Sequence, residues 1–257
     1  MPLKIVQISD LHLFADPEAE LKGLKTQAGV TAVLNDIRNR HPDFDLLVIS
    51  GDHTHDELPE TYRRIRSMLG DWLSRTRLIP GNHDERPVIR QVFGELVPET
   101  GERLTFEVSL PGWRLLGIDS HVPGQLYGEV GTDQWQWLAA QAASSRDPAV
   151  LFLHHPPLPI GSPWMDRIGL RDVEGLKQVI AEWPELKLIC HGHIHQEFSG
   201  TLDGIPVMSV PSSAVQFRPR TQELEVDTLP PGYRVILLGE GGNFSTEVVR
   251  VENISLS

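Results

Sequence analysis

The stretch Leu46-Leu47-Val48-Ile49 is apolar at every position and ends in two β-branched residues. A run without polar alternation predicts a strand covered on both faces. Gly51 then permits a tight turn, and Asp52 leaves the strand end as a carboxylate. One Asp after a strand reads most simply as a turn or a helix cap. The arrangement recurs, however. Ile5-Val6-Gln7-Ile8-Ser9 leads into Asp10-Leu11-His12, and Leu78-Ile79-Pro80 into Gly81-Asn82-His83-Asp84. Val150-Leu151-Phe152-Leu153 leads into His154-His155-Pro156-Pro157, and Leu186-Lys187-Leu188-Ile189-Cys190 into His191-Gly192-His193-Ile194-His195. In layered α/β folds the carboxyl ends of strands share one edge, where ligands bind. The repetition therefore argues for one shared site.

Between these runs the apolar spacing turns helical. Val30, Val33, Leu34 and Ile37 predict a helix from about Thr26 to Arg40, closed by His41-Pro42. Tyr62, Ile65, Leu69 and Trp72, with Met68 beside them, predict a second. A short helix runs through Val92-Phe93, with Gly94 as its expected cap. Thr132 is the expected N-cap of a helix carrying Trp135, Leu138, Ala139 and Ala142. Val173, Leu176, Ile180 and Trp183 predict another that stops before Pro184.

Phe106-Glu107-Val108 and Leu115-Leu116-Gly117-Ile118, separated by Pro111-Gly112, read as a hairpin ending in Asp119-Ser120. From about Phe198 strands and turns take over. Asp203-Gly204 signals one hairpin, and Gly241-Gly242-Asn243 sits between Tyr233–Leu238 and Thr246–Val251. Alternating β and α, followed by a β-rich part over about 198–257, predicts an α/β sandwich in one domain spanning 1–257.

A length of 257 residues with 40% hydrophobic content suits one large domain with a sizeable core. The net charge of −12 argues against a nucleic-acid polymer or an anionic membrane as partner. A small anion stays compatible, because bound cations reverse the local field. The single cysteine, Cys190, has no internal disulfide partner and suits a reducing compartment; at the end of an apolar run it reads as a small buried hydrophobe. The N-terminal residues enter a strand almost at once, without the basic and apolar regions of a signal peptide. No apolar run approaches the ~20 residues of a membrane span. A cytoplasmic location is expected, and the oligomeric state is left open.

With the strand ends on one edge, the candidate metal ligands are Asp10, His12, Asp52, Asn82, His154, His193 and His195. Seven groups exceed what one tetrahedral or octahedral ion takes and suit two. A carboxylate can bridge two cations, and Asp52 is the natural bridge. Nitrogen and oxygen donors without thiolate point to Fe, Mn, Zn or Co. Two ions about 3.5–4 Å apart form a clamp for in-line phosphoryl displacement.

Asp10-x-His12, Gly51-Asp52, Gly81-Asn82-His83-Asp84, His154-x-Pro156 and Gly192-His193-x-His195 together resemble the five signatures of the calcineurin-like metallophosphoesterases. They follow the family's order over most of the chain. Further likeness lies in His12-Leu13-Phe14-Ala15, in Gly192 to Glu197, in Pro211 to Pro219, and in Asp227-Thr228 with Pro231-Gly232-Tyr233-Arg234. These stretches are similar to the bacterial class III 3′,5′-cyclic-AMP phosphodiesterases. The resemblance implies a four-layer αββα sandwich of two mixed β-sheets flanked by helices, with a dinuclear metal site at the strand carboxyl ends. It implies two ions, Fe or Mn foremost, the first on Asp10, His12, Asp52 and His195 and the second on Asp52, Asn82, His154 and His193. It implies that Asn82 and His83 touch the substrate, with His83 near the phosphate or the leaving oxygen as the catalytic general acid. The implied reaction is hydrolysis of cyclic AMP to 5′-AMP by a metal-bound hydroxide. The alternatives are a broader phosphodiesterase or phosphomonoesterase on nucleotides or glycerophosphodiesters, and a non-enzymatic metal-binding scaffold.

The sequence departs from the family pattern after Asp52, where an aliphatic residue is usual and His53, Thr54, His55 and Asp56 follow. Asp56 matches the later acidic position. His53 and His55 read as polar loop residues, with a ligand or a pKa-tuning role as the alternatives. His155 reads as a supporting or packing residue, His191 as a hydrogen-bonded strand-end histidine, and His41 and His121 as surface or turn residues. Val215-Gln216-Phe217-Arg218 offers an aromatic ring and a guanidinium, Phe217 and Arg218, as candidate contacts to a base; a strand with a solvated Arg explains the same letters.

Overall fold

The continuous apolar runs become the central strands of two sheets, and the segments of helical spacing cover the outside. The computed structural model of the chain describes residues 2–98 and 101–252. In chain order come β1 (Leu3–Ile8), a small hairpin of β2 (Glu20–Leu21) and β3 (Leu24–Lys25), α1 (Thr26–Arg40), β4 (Leu46–Ile49), α2 (Pro59–Leu69), β5 (Thr76–Leu78) and α3 (Arg86–Phe93). The hairpin of β6 (Phe106–Leu110) and β7 (Trp113–Gly117) follows, then α4 (Thr132–Ser144), β8 (Ala149–Phe152), α5 (Pro163–Asp166) and α6 (Val173–Ala181). After them come β9 (Leu186–His191), β10 (Ser199–Leu202), β11 (Ile205–Ser209), β12 (Gly232–Leu238) and β13 (Phe244–Arg250).

One sheet has the order β13-β12-β1-β4-β5 and the other β10-β11-β9-β8-β7-β6. Both are mixed. In the first, β1, β4 and β5 are parallel while β12 and β13 pair antiparallel. In the second, β7, β8, β9 and β11 are parallel, with antiparallel β6 and β10 at the two edges. The residues after 198 thus extend both sheets.

Alternation along each strand divides its side chains between two cores. Ile5, Leu46, Val48, Val150, Phe152, Leu188 and Ile236 meet between the sheets, with Cys190 among them. Val6, Ile8, Leu47 and Ile49 turn outward onto Val33 and Ile37 of α1, Ile65 of α2 and Phe93 of α3. Ala149, Leu151 and Ile189 turn outward onto Leu138 of α4 and Leu176 of α6. Burying each Leu, Ile or Val contributes about 1.5–3 kcal/mol, so a strand apolar at every position is stable only in such a double layer. The architecture is the αββα sandwich that the resemblance implies.

Helix α1 occupies the limits its spacing predicts. Of the two predicted caps, Gly94 does stand at the C-cap of α3, while Thr132 is not the N-cap of α4. Gly131, at φ 84, is the residue before α4, and Thr132 is already its first turn, with no side-chain cap. Gly94 keeps a right-handed φ of −53 and leads into a further 3₁₀ turn, Gly94–Leu96, because the chain is still following the core through Leu96. Trp72 likewise lies on a 3₁₀ turn after α2. Asp203 and Gly204 have φ of 47 and 87, as a tight two-residue hairpin requires. Residues 215–218 form an irregular segment tied by a lone bridge between Phe217 and Val226. Among the described residues no helix is long and apolar enough to cross a membrane.

Candidate metal centre

The carboxyl ends of β1, β4, β5, β8 and β9 meet at one rim. The first sheet delivers Asp10 and His12 after β1, Asp52 after β4 and Asn82 after β5; the second delivers His154 after β8 and His193 and His195 after β9. The segments after β1 and β4 are laced together. Asp10 N donates to Gly51 O (3.0 Å), His12 N to Asp52 O (3.0 Å), Leu13 N to His53 O (3.2 Å) and His55 N to Leu13 O (2.8 Å). Across the gap between sheets, His193 N donates to both Asp10 carboxylate oxygens at 3.1 Å. Ser212 Oγ donates to the Asp10 carbonyl at 2.7 Å.

Five of the seven candidate ligands hold a left-handed backbone: Asp10 (φ 55), His12 (43), Asp52 (52), His193 (70) and His195 (53). Outside glycine that conformation costs about 1–2 kcal/mol per residue. It persists where the surroundings over-determine it, which is typical of functional sites. The motif glycines serve space here. A Cβ on Gly81 would meet Asp52 Oδ1 at 2.1 Å, and one on Gly51 would meet His154 Nδ1 at 2.3 Å.

The side chains fall into two clusters around Asp52. In one, His12 Nε2 and His195 Nε2 stand 3.0 Å apart. Asp10 Oδ1 is 3.5 Å from His195 Nε2, and Asp52 Oδ2 is 3.4 Å from His12 Nε2. In the other, His154 Nε2 lies 3.4 Å from Asp52 Oδ1 and 3.3 Å from Asn82 Oδ1. The His193 ring is 5.1 Å from that of His154, and its buried Nε2 has no hydrogen-bond partner. Each Asp52 oxygen thus faces a different cluster. Donor atoms at about 2.0–2.2 Å from one cation stand roughly 3–3.5 Å from each other, so these separations fit two cation positions.

Hydrogen bonds on the far side of the rings keep the inner nitrogens free. His154 Nδ1 meets the Ser50 carbonyl at 2.7 Å and His195 Nδ1 meets that of Val215 at 2.7 Å. Each N–H donates outward, which leaves the Nε2 lone pair for a metal. Burial pushes Asp10 up to about 7, His195 down to about 4, and His12 and His193 well below the usual histidine range. Neutral imidazole is the form that ligates. Burial also opposes charge on Asp52 and His154, but the two face each other. Their attraction holds Asp52 well below the carboxylate range and lifts His154 to about 9.

His83 lies at the mouth of the clusters, its ring 5.1 Å from that of His12, with its backbone N–H donating to Asp52 Oδ1 at 2.8 Å. A cleft of about 420 Å³ opens above, lined on one side by His12, Asp52, Asn82, His83, His193 and His195. Leu21, Leu126, Trp164, Met165, Ile168 and Leu224 form its apolar wall, and Lys22 adds a cation. Phe217 also reaches this cleft, although its ring is stacked on His195 at 4.1 Å and 9°. Arg218 does not: it is exposed and pairs with Glu225 at 3.3 Å. Trp164 comes from the single-turn helix α5 and Leu126 from a loop, neither with a sequence pattern of its own, so only the folded chain reveals them.

The remaining histidines differ in part from their sequence reading. His53 does lie in the loop after β4 but is fully buried there; its Nδ1 is 2.8 Å from Asp84, which also accepts from Tyr62 Oη (2.9 Å) and Gly81 N (2.8 Å). That carboxylate shapes the turn bearing Asn82 and His83. His55 is half-buried against His12 and His83. Both nitrogens of His155 are engaged, by Ser120 Oγ (2.8 Å) and Leu126 O (3.2 Å), so it supports the wall. His191 ends β9 with Nδ1 against Gly192 O at 2.9 Å. His121 is buried, not a surface residue, beside Asp119, which accepts two bonds from Arg86 (2.6 and 2.9 Å).

A rim that gathers nitrogen and oxygen donors into clusters that could hold metal ions defines the class: a layered α/β protein with a candidate metal centre at its strand ends. Residues 3–197 match the calcineurin-like phosphoesterase family, and the chain belongs to it. The "3′,5′-cyclic adenosine monophosphate phosphodiesterase CpdA" of Pseudomonas aeruginosa is 35% identical over 252 residues, covering 97% of this chain and 90% of its own length. The protein of that name in Escherichia coli K12 is 34% identical over 250 residues, with 97% and 90% covered. A "3′,5′-cyclic-nucleotide phosphodiesterase" of Nostoc is 30% identical over 252 residues, with 98% and 93% covered. Among solved structures, a dimetal phosphatase from Danio rerio superposes with a TM-score of 0.64 at 15% identity, covering 98% of this chain and 100% of its own. A purple acid phosphatase from yellow lupin seeds gives 0.69 at 12% identity, covering 100% and 53%. These structural likenesses concern the fold.

Proposed function

We propose that this phosphodiesterase hydrolyses 3′,5′-cyclic AMP to 5′-AMP with two bound metal ions. The observation that carries the reading is Asp52, whose Oδ1 and Oδ2 each face a separate cluster of donors at 3.4 Å. The first ion falls to Asp10, His12, Asp52 and His195, and the second to Asp52, Asn82, His154 and His193. Iron and manganese suit this nitrogen and oxygen set, as do zinc and cobalt. Bound there, two cations supply Lewis-acid polarisation of the phosphate and activation of water as the nucleophile.

The protein's own groups do the rest. Asn82 and His83 stand where the phosphate enters, held by the Asp84-centred turn and by the bond from His83 N to Asp52. His83 delivers a proton to the departing ribose 3′ oxygen, opposite the attacking water. The apolar wall of Leu126, Trp164 and Leu224 offers the nucleoside an apolar face. Full-length likeness to relatives named for cyclic AMP and cyclic nucleotides supports this substrate. The lone buried Cys190 agrees with a cytoplasmic setting. Purified protein tested on cyclic AMP, other cyclic nucleotides and an aryl phosphodiester, with chelator and metal add-back, tests the reading. Metal-dependent cleavage of cyclic AMP supports it. Cleavage of the aryl ester alone indicates a different phosphodiester substrate, and no cleavage of any indicates a binding scaffold.

A further inference from the structure

We infer that His55 is a positioning residue for the cation pair, holding the His12 imidazole by accepting its outward N–H. The inference rests on the reading of His12 as a ligand. His154 and His195 each turn Nδ1 to a backbone carbonyl, Ser50 O and Val215 O. His12 has a different arrangement. Its Nε2 faces His195 Nε2 at 3.0 Å, and its outer nitrogen, Nδ1, meets the Nδ1 of another imidazole, His55, at 3.3 Å.

The proton count of that contact assigns the tautomers. A neutral His12 that offers the Nε2 lone pair to a cation carries its hydrogen on Nδ1. His55 Nδ1 is then the acceptor, and His55 carries its own hydrogen on Nε2. The acceptor ring is held on several sides. It stacks on His83 at 4.8 Å and 29° and lies 5.1 Å from the Phe14 ring, while its backbone N–H donates to Leu13 O at 2.8 Å. A side chain therefore does here what carbonyls do for the other two rings, and it can be replaced without breaking the backbone.

Groups that orient metal-ligating histidines typically change metal affinity about 10–100-fold when lost. The test strips the protein with chelator, then titrates Mn²⁺ or Co²⁺ at equilibrium into wild type, His55→Leu and His55→Gln, following bound metal per chain and the Co²⁺ absorption spectrum. Wild type is expected to bind two ions. His55→Leu is expected to bind one of them about 10–100-fold more weakly and the other unchanged. His55→Gln, whose amide oxygen accepts the same N–H, is expected to restore most of the loss. A wild type that binds no ion refutes the metal reading itself. Two ions in wild type with unaltered affinity in His55→Leu overturns the role given to His55. Equal losses in His55→Leu and His55→Gln, or a third ion lost from both, would also overturn it.

Discussion

His12 Nε2 and His195 Nε2 face each other at 3.0 Å inside the protein, each ring tied on its far side. Two imidazole lone pairs at that separation repel unless a cation or a proton lies between them, so their placement depends on what holds the rings. The Phe217 ring lies flat against His195 at 4.1 Å and, apart from 8% of its surface, is buried. Truncating such an aromatic costs about 3–5 kcal/mol. For Phe217→Ala the expected outcome is a lower Tm and faster loss of metal in dialysis. KM for cyclic AMP at saturating metal should stay within about threefold, under 1 kcal/mol. A large rise in KM with metal retained would instead make Phe217 a direct contact of the base.

Gly81 touches the same centre from the β5 side. Its missing Cβ would lie 2.1 Å from Asp52 Oδ1, 2.4 Å from Asp52 N and 2.7 Å from His154 Nε2. Asp52 and His154 are both buried, so neither has room to give. Gly81→Ala should fold with an overpacking cost of about 1–3 kcal/mol and lose at least ~100-fold in kcat, since a displacement near 1 Å has that effect. Thermal melts and steady-state kinetics check the two halves separately.

His83 has one face on His55 and its backbone on Asp52, and it is not one of the seven proposed ligands. His83→Ala should therefore keep both metal ions and lower kcat by about 10²–10⁴, the usual worth of a general acid. The deficit should shrink for an aryl phosphodiester, whose leaving group needs no proton. Metal analysis and kinetics on the two substrates make the comparison.

Much of this arrangement is legible in the sequence, for identifiable reasons. Strands such as Leu46–Ile49 announce themselves as unbroken apolar runs because both faces are buried, and the stripe Val30, Val33, Leu34, Ile37 because one buried face imposes a helical period. The ligands announce themselves because each follows a strand. What is not legible depends on contacts between distant segments. Nothing near His53 shows that Asp84 will meet it in the core, or that Trp164 will line a cleft opposite His83. The left-handed backbone at Asp10, His12, Asp52, His193 and His195 is equally hidden, because no glycine marks those positions. Arg218 looks available beside Phe217, but its neighbour across the bridge, Glu225, holds it at the surface.

Cys190 faces the core between the sheets, and burial pushes its thiol up to about 12. The sign is that of a group whose neutral form is favoured on folding. Thiolate is scarce at pH 8 in the native state and reappears on unfolding, and the stability tied to the neutral thiol is full below about 9 and is lost as pH rises from there toward 12. A thiol reagent at pH 8 should find no reactive cysteine in the native protein and one per chain in denaturant.

A crystal structure of the manganese-loaded protein, read by anomalous scattering, tests the shared carboxylate most directly. The expected map holds two peaks, one against each oxygen of Asp52, with His12 and His195 on one peak and His154 and His193 on the other. A single peak, or two peaks that leave Asp52 outside both coordination spheres, would contradict the account.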